Sequence, residues 1–348
     1  MKKKKELKGI YDTIVGVFQK SKNFGFVVPD DKKINTDIYI SKKDSKKVKN
    51  NQKVVVQITK YPQGNKAAEG KIVEIIGHIN QAGVDMLSLV KEYHLPYEFP
   101  EKVLQEAKAI KQEIAKKDIP NRLDLRQKQI FTIDGEDAKD LDDAVAVEKL
   151  ANGNYLLNVS IADVSYYVQE DSLLDKEALL RGTSIYMLDR VIPMLPKELS
   201  NGICSLNQGE DRFAITVLME IDERGKVVSS DIQKSIIHVT RRMSYKEVQT
   251  ILEGSKKDGK KKEKIIEECK PFIEHFRRME DLANILKKRR SNAGSLNLDI
   301  PESKIILDKN GVAIDVKKYE SYFSNEIIEQ FMLSANETIA EKFYWLEA

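Results

Sequence analysis

Cysteine is nearly absent from this 348-residue chain, which has only Cys204 and Cys269. With no CxxC pair and no histidine cluster beside them, neither a disulfide scaffold nor a zinc site can be built, and two reduced thiols in a cytoplasmic protein are expected. Long apolar runs are missing as well. None reaches the roughly 18 residues that a membrane-spanning helix needs, so no membrane association is expected. Lys2 to Lys5 resemble the charged start of a secretory leader, but no apolar core follows, and Glu6, Lys8 and Asp12 interrupt the stretch. Arginine is absent from residues 1–71, which hold 18 Lys and 7 acidic residues, so this segment carries +11 although the whole chain carries only +3. A block of this kind fits either a solvated face or the footprint of a polyphosphate backbone.

What remains is globular in character: 41% hydrophobic and 32% charged residues, enough for a small module and one large domain. Short β segments separated by turn residues fill Gly9 to Gly77, at residues 11–18, 25–28, 37–40, 54–59 and 67–75, which predicts a small five-stranded barrel. Apolar residues at helical spacing then run through 83–117, with prolines at 96 and 100. From Gln129 onward the pattern is mixed. Strands are expected at 130–133, 155–161, 214–221 and 235–239, helices at 245–253, 263–290 and 325–346, and an exposed lysine-rich loop at 256–264. These bounds divide the chain into a barrel module (1–78), a helical connector (79–126) and a larger domain (127–348).

Two segments carry chemistry. In the first, Lys22-Asn23-Phe24-Gly25-Phe26-Val27-Val28-Pro29-Asp30 precedes Asp37-Ile38-Tyr39-Ile40. Strand alternation puts Phe24 and Phe26 on one face, with Gly25 between them leaving room for a close approach. Bases stack on such a platform at about 1–3 kcal/mol each while lysines follow the phosphates. The plainer alternative makes both phenylalanines core residues. In the second segment, Asp134, Glu136, Asp137, Asp140, Asp142 and Asp143 place six carboxylates within ten positions, directly after an apolar strand. Clustered carboxylates repel, and a hard cation that accepts oxygen ligands relieves them; Mg²⁺ is the expected cofactor. The spacing is not that of an EF-hand calcium loop. A solvated acidic loop is the competing reading, against which stand the apolar flanks Ile130, Phe131 and Ile133, then Ala144, Val145 and Val147.

The first segment is similar to the two nucleic-acid-binding stretches of cold-shock domains. Thr132 to Ala144 resembles the T-I-D-x5-D-x-D-D-A signature of the ribonuclease II/R family, and further stretches agree: Ile161 to Val168, Arg181 to Tyr186, Val191 to Pro196 and Leu199 to Asn207. The resemblance implies an α+β chain: a five-stranded OB-type cold-shock β-barrel followed by a mixed α/β catalytic domain of RNB type, incomplete at its C-terminal end. It implies 3′→5′ hydrolysis of single-stranded RNA to nucleoside 5′-monophosphates. Asp134, Asp140, Asp142 and Asp143 are then catalytic and metal-holding, with Asp134 and Asp143 first in line as direct ligands. Lys22, Phe24, Phe26 and Tyr39 bind RNA on the barrel. Tyr186 stacks on the 3′-terminal nucleotide, where the alternative is a buried tyrosine, and Tyr245 and Glu329 lie near the sugar at the channel's end. No obligate protein partner is implied.

The sequence also departs from the family. The T-S-P-[IL]-R-R-Y segment that supplies an arginine beside the scissile phosphate has no counterpart here, and neither has a C-terminal S1 module or a further cold-shock module ahead of the first. A fragment with weak or no activity of its own is therefore expected. Two other classes remain open: a non-enzymatic RNA-binding chaperone, and a nuclease acting on DNA.

Overall fold

The computed structural model describes residues 13–62, 67–254, 260–296, 300 and 302–347. Residues 11 and 12 of the first expected strand, and 256–259 of the expected lysine loop, lie outside them. The chain divides into two compact units, one holding the chain up to Phe99 with Ser184–Ile192 and Ser303–Lys318, the other holding Pro100–Thr183, Pro193–Glu302 and the chain from Tyr319 onward.

The first unit opens with β1 (Thr13–Lys20), β2 (Gly25–Pro29), β3 (Ile38–Ile40), β4 (Gln52–Lys60) and β5 (Ala68–His78), which close into a barrel in the order β1-β2-β3-β5-β4. Alternate residues point inward, so Phe18, Val27, Ile38, Ile40, Val54, Val56 and Ala68 fill the barrel. The two glycines at the crowded β1–β2 corner are there for that packing. A Cβ on Gly25 would sit 2.2 Å from Phe18 Cε2, and one on Gly16 would sit 2.3 Å from the Val28 carbonyl oxygen. The close approach expected at Gly25 is made by the Phe18 ring and by the Gln19 carbonyl oxygen, which a Cβ would meet at 3.0 Å. Helix α1 (Val84–Glu92) follows β5, and a Cβ on Gly77 would meet Val84 Cγ2 at 2.6 Å.

The second unit begins with α2 (Glu101–Ala109), which stops short of Ile114 because Ile110 turns extended. It continues through β6 (Leu123–Asp124), β7 (Ile130–Asp134), β8 (Asp143–Lys149), β9 (Tyr155–Ala162), the single turn α3 (Val164–Tyr167) and α4 (Leu173–Arg181). The chain then supplies the first unit with a hairpin, β10 (Ile185–Tyr186) and β11 (Val191–Ile192), and returns for β12 (Asp211–Ile221) and β13 (Val227–Ser244). Helices α5 (Tyr245–Glu253), α6 (Lys260–Glu268) and α7 (Ile273–Asn292) follow, then an exposed first-unit hairpin, β14 (Ser303–Leu307) and β15 (Ala313–Lys318), and finally α8 (Phe323–Trp345).

The helix expected over 263–290 is two helices, because Pro271 lacks an N–H and breaks the hydrogen-bond ladder between α6 and α7. Residues 260–262, read as loop from their lysines, form the start of α6. Strands order as β12-β9-β8-β7-β13-β6, and the long β13 also pairs with β12. Its first part runs antiparallel to β12, and its last residues run parallel to β7. One face of the sheet carries Phe131, Ile133, Val145, Leu157, Val159 and Met243, and α5, α7 and α8 cover it through Val248, Ile251, Phe276, Leu282, Ile327 and Phe331. The core thus sits directly behind the strands that bear the acidic residues.

Candidate active site

Asp134 is the last residue of β7 and Asp143 the first of β8. These strands are antiparallel neighbours, with Phe131 paired to Val145, so the chain between them must turn back on itself and crowd its carboxylates. Burial raises the pKa of Asp134, and Asp142 and Asp140 raise it further. Asp142 is raised by burial and then by Asp140. Asp143 is pushed up to about 7, by burial first and then by Asp142 and Asp134. Its Oδ2 is buried with no hydrogen-bond partner.

Backbone contacts hold this loop. Arg242, on β13, donates from Nη2 to the carbonyl oxygens of Glu136 at 3.1 Å and Ala138 at 2.6 Å, with Gly135 at 3.5 Å. Its charge also partly offsets the raised pKa of Asp134. The fully buried Ser205 accepts from the Leu141 N–H at 3.1 Å and donates to the Lys139 carbonyl at 3.1 Å. Leu206 N–H donates to the Leu141 carbonyl at 2.7 Å, and Ala162 N–H to the Asp142 carbonyl at 2.9 Å. Leu199 to Asn207 and Ile161 to Val168, recognised in sequence only as matching stretches, are thus clasps on the acidic loop.

Next to Ala162, Asp163 accepts from Arg122 Nη2 at 2.6 Å, the two side chains being 1% and 4% exposed. The guanidinium lies 4.0 Å from the Phe213 ring centre and 5.2 Å from that of Tyr166, and Tyr166 Oη donates to Asp118 at 2.5 Å. Neither Arg242 nor Arg122 stands out in the sequence. Arg242 bonds carbonyls, which every residue has, and Arg122 lies 41 positions from its partner.

The donor set suits a hard divalent cation. Oxygen ligands gather where burial and mutual repulsion disfavour their charge, and one buried carboxylate oxygen lacks any partner in the protein. Among the described residues, no group of three or more His, Cys, Asp or Glu side chains is arranged to hold a metal ion by itself. Mg²⁺ commonly takes one or two protein carboxylates and completes its shell with water and phosphate oxygens.

Tyr245 directly follows Ser244, the β13 residue paired with Asp134. Burial raises its hydroxyl pKa, followed by the charges of Asp134 and Asp143. Its carbonyl accepts from Ser324 Oγ at 2.7 Å, which ties the start of α8 to the start of α5. Glu329 projects from an exposed position of α8.

Tyr186 belongs to the other unit and is 67% exposed, which removes the reading of it as a core residue. Phe24, Phe26 and Tyr39 form one half-buried cluster on the outer barrel surface, with ring centres 5.3, 5.7 and 6.0 Å apart. Lys22 is exposed beside them, and Lys42 Nζ donates to Asn23 Oδ1 at 3.4 Å.

The RNB domain family model matches residues 122–348, and a cold shock domain model matches residues 26–100. Ribonuclease R of Thermotoga maritima is 47% identical over 95% of this chain and 46% of its own length. Ribonuclease R of Escherichia coli is 34% identical over 93% of this chain and 39% of its own. The chain therefore spans less than half the length of these relatives. In fold it is similar to Mycoplasma genitalium RNase R in complex with ribose-methylated single-stranded RNA, with a TM-score of 0.87 at 24% identity over 98% of this chain and 52% of that one. It is also similar to yeast Ssd1, a pseudonuclease, with a TM-score of 0.71 at 18% identity over 97% of this chain and 42% of that one. With an acidic loop clasped between two buried strands and a family model spanning 122–348, this chain belongs to the RNB domain family.

Proposed function

We propose that this protein is a cytoplasmic 3′→5′ exoribonuclease that hydrolyses single-stranded RNA to nucleoside 5′-monophosphates and depends on Mg²⁺. The observation that carries this reading is the acidic loop: four aspartates held by backbone clasps, with the partnerless Asp143 Oδ2 among them. Of Asp134, Asp140, Asp142 and Asp143, one or two would ligate the metal directly, with Asp134 and Asp143 first in line, and water and phosphate oxygens would complete its shell. When bound there, Mg²⁺ would supply activation of water and neutralisation of charge on the scissile phosphate.

The chain's own residues do the rest. Arg242 and Ser205 keep the aspartates in place through the loop backbone. Tyr245, with its pKa raised, stays protonated and can donate to a sugar hydroxyl, and Glu329 is assigned to the same end of the strand. Tyr186 offers an exposed ring to the 3′-terminal base. Phe24, Phe26, Tyr39 and Lys22 form a stacking and phosphate-binding surface on the barrel, within an RNA-binding domain over 1–78, ahead of a connector over 79–126 and the catalytic domain from 127 onward. The relatives named Ribonuclease R support this assignment.

The likeness to a pseudonuclease supports a second reading, an RNA binder without turnover. A time course on 5′-labelled single-stranded RNA, with and without Mg²⁺, separates the two when run beside Asp142→Asn and a DNA oligonucleotide of the same sequence. Weak stepwise shortening of RNA, dependent on Mg²⁺ and absent both in Asp142→Asn and with DNA, is expected. Binding without shortening would make this chain an incomplete enzyme that acts, at most, as an RNA binder.

A further inference from the structure

The hairpin that carries Tyr186 is minimal. Tyr186 pairs with Val191, Ile185 with Ile192, and Met187 N–H donates to the Arg190 carbonyl at 2.9 Å. A ladder of two residues a side does not hold its shape unaided in water. Its turn, however, is seated. Arg190 donates to Asp189 through Nε at 2.9 Å and Nη2 at 2.6 Å, a bidentate pair between adjacent residues.

That pair lies against Gly83, the residue ahead of α1, where a Cβ would stand 3.5 Å from Asp189 Oδ2 and 3.6 Å from Arg190 Nη2. Gly83 has a φ of 78°, which a side chain would strain, so the backbone stays bare beneath the pair. A carboxylate beside the first turn of α1 also complements the helix dipole. On its other side, the guanidinium lies 5.8 Å from the Tyr97 ring centre. Asp189, and after it Tyr97, raise the pKa of Arg190. All these residues belong to the unit that contains the barrel.

We propose that Asp189 and Arg190 are positioning residues: seated between Gly83 and Tyr97, they fix the hairpin so that the exposed Tyr186 ring is presented to the terminal base of a bound RNA. This rests on the reading of Tyr186 as the base-stacking residue. Because Val84 packs against Gly77 at the end of β5, the ring takes its place from the module that binds the strand.

The test uses single-stranded RNA with 2-aminopurine as its 3′-terminal base, in EDTA so that nothing is cleaved. Stacking quenches that base, and a 5′ label reports affinity separately. Wild-type protein should quench, and Tyr186→Ala should not. Arg190→Ala and Tyr97→Leu should each lose roughly half or more of the quenching while affinity changes by less than about threefold, because the barrel platform still retains the strand. Arg190→Lys, which keeps the charge without the fork, should fall between. Thermal melts identify any variant that fails to fold, and the two substitutions lie on separate elements. Full quenching in folded Arg190→Ala or Tyr97→Leu, with quenching lost in Tyr186→Ala, overturns the bracket and leaves the reading of Tyr186 standing. Quenching that survives in Tyr186→Ala overturns both.

Discussion

Arg242 Nη2 donates to the Ala138 carbonyl at 2.6 Å, so a side chain from β13 fixes the backbone of the loop that carries the candidate metal ligands. The bond is charge-assisted, and the same nitrogen reaches the Glu136 and Gly135 carbonyls. Replacing it loosens the loop without removing a carboxylate. Arg242→Met should raise the divalent-ion concentration needed for half-saturation by about 10–100-fold, the usual cost of losing an outer support of a metal site. Mn²⁺ binding followed by EPR measures this without reference to turnover; unchanged affinity would show that the clasp is dispensable.

Asp143 sets a pH dependence whose sign follows from its raised pKa. In the metal-free protein its carboxyl titrates at about 7, against about 3.9 in an unfolded chain. The folded state therefore holds the proton more tightly, and this contribution to stability is complete below about 4 and lost as the pH rises through 7. Metal-free Asp143→Asn should melt above wild type at pH 8, and the gap should close toward pH 4–5. Mg²⁺ should raise the wild-type melting temperature at pH 8 and leave the variant unmoved. A gap independent of pH would falsify the assignment.

The Arg122–Asp163 pair is almost wholly buried. Removing one partner strands the other charge, so Arg122→Met should cost about 3–5 kcal/mol in urea unfolding. Arg122→Met combined with Asp163→Leu should recover part of that loss. If the single and double variants are equally unstable, the packing of the guanidinium on Phe213 matters more than its charge.

On the barrel, neighbouring residues should separate binding from stability. Phe26→Ala should weaken single-stranded RNA binding by about 1–3 kcal/mol, or roughly 5- to 150-fold in Kd, with little effect on folding. Gly25→Ala forces a methyl group toward the Phe18 ring. It should cost about 1–3 kcal/mol of stability while the folded fraction keeps its affinity. Anisotropy and chemical denaturation on the two variants check this, and the opposite pattern would place the RNA elsewhere.

Local signals made much of this legible from sequence. The helix over 245–253 matches α5 because a Ser244–Glu247 capping box starts it, Gly254 ends it and the apolar period agrees. The acidic loop stands out because its flanks are apolar on both sides. The β14–β15 hairpin does not: β15 is exposed along its whole length, so no buried face imposes alternation on it. What holds the acidic loop was equally hidden, since Arg242 and Ser205 work on carbonyl and amide groups that carry no mark of residue type. Alternation tells which residues share a face but not what approaches them, so the Phe18 ring and the Gln19 carbonyl that crowd Gly25 are visible only in the structure.

The 18-residue β13 joins two tasks in one strand: its start pairs with β12, and its end carries Arg242 and runs straight into Tyr245. Insertions should therefore be tolerated very unevenly along it. In the turn at Asp222–Lys226, the exposed tip between Glu223 and Arg224 is a natural graft point for a tag or reporter, whereas the buried Gly225 accepts from Arg289 Nη1 at 3.0 Å and anchors the turn to α7. A single residue added between Arg241 and Arg242 would swap the faces of the strand's end, turning Arg242 away from the loop and rotating the whole of α5.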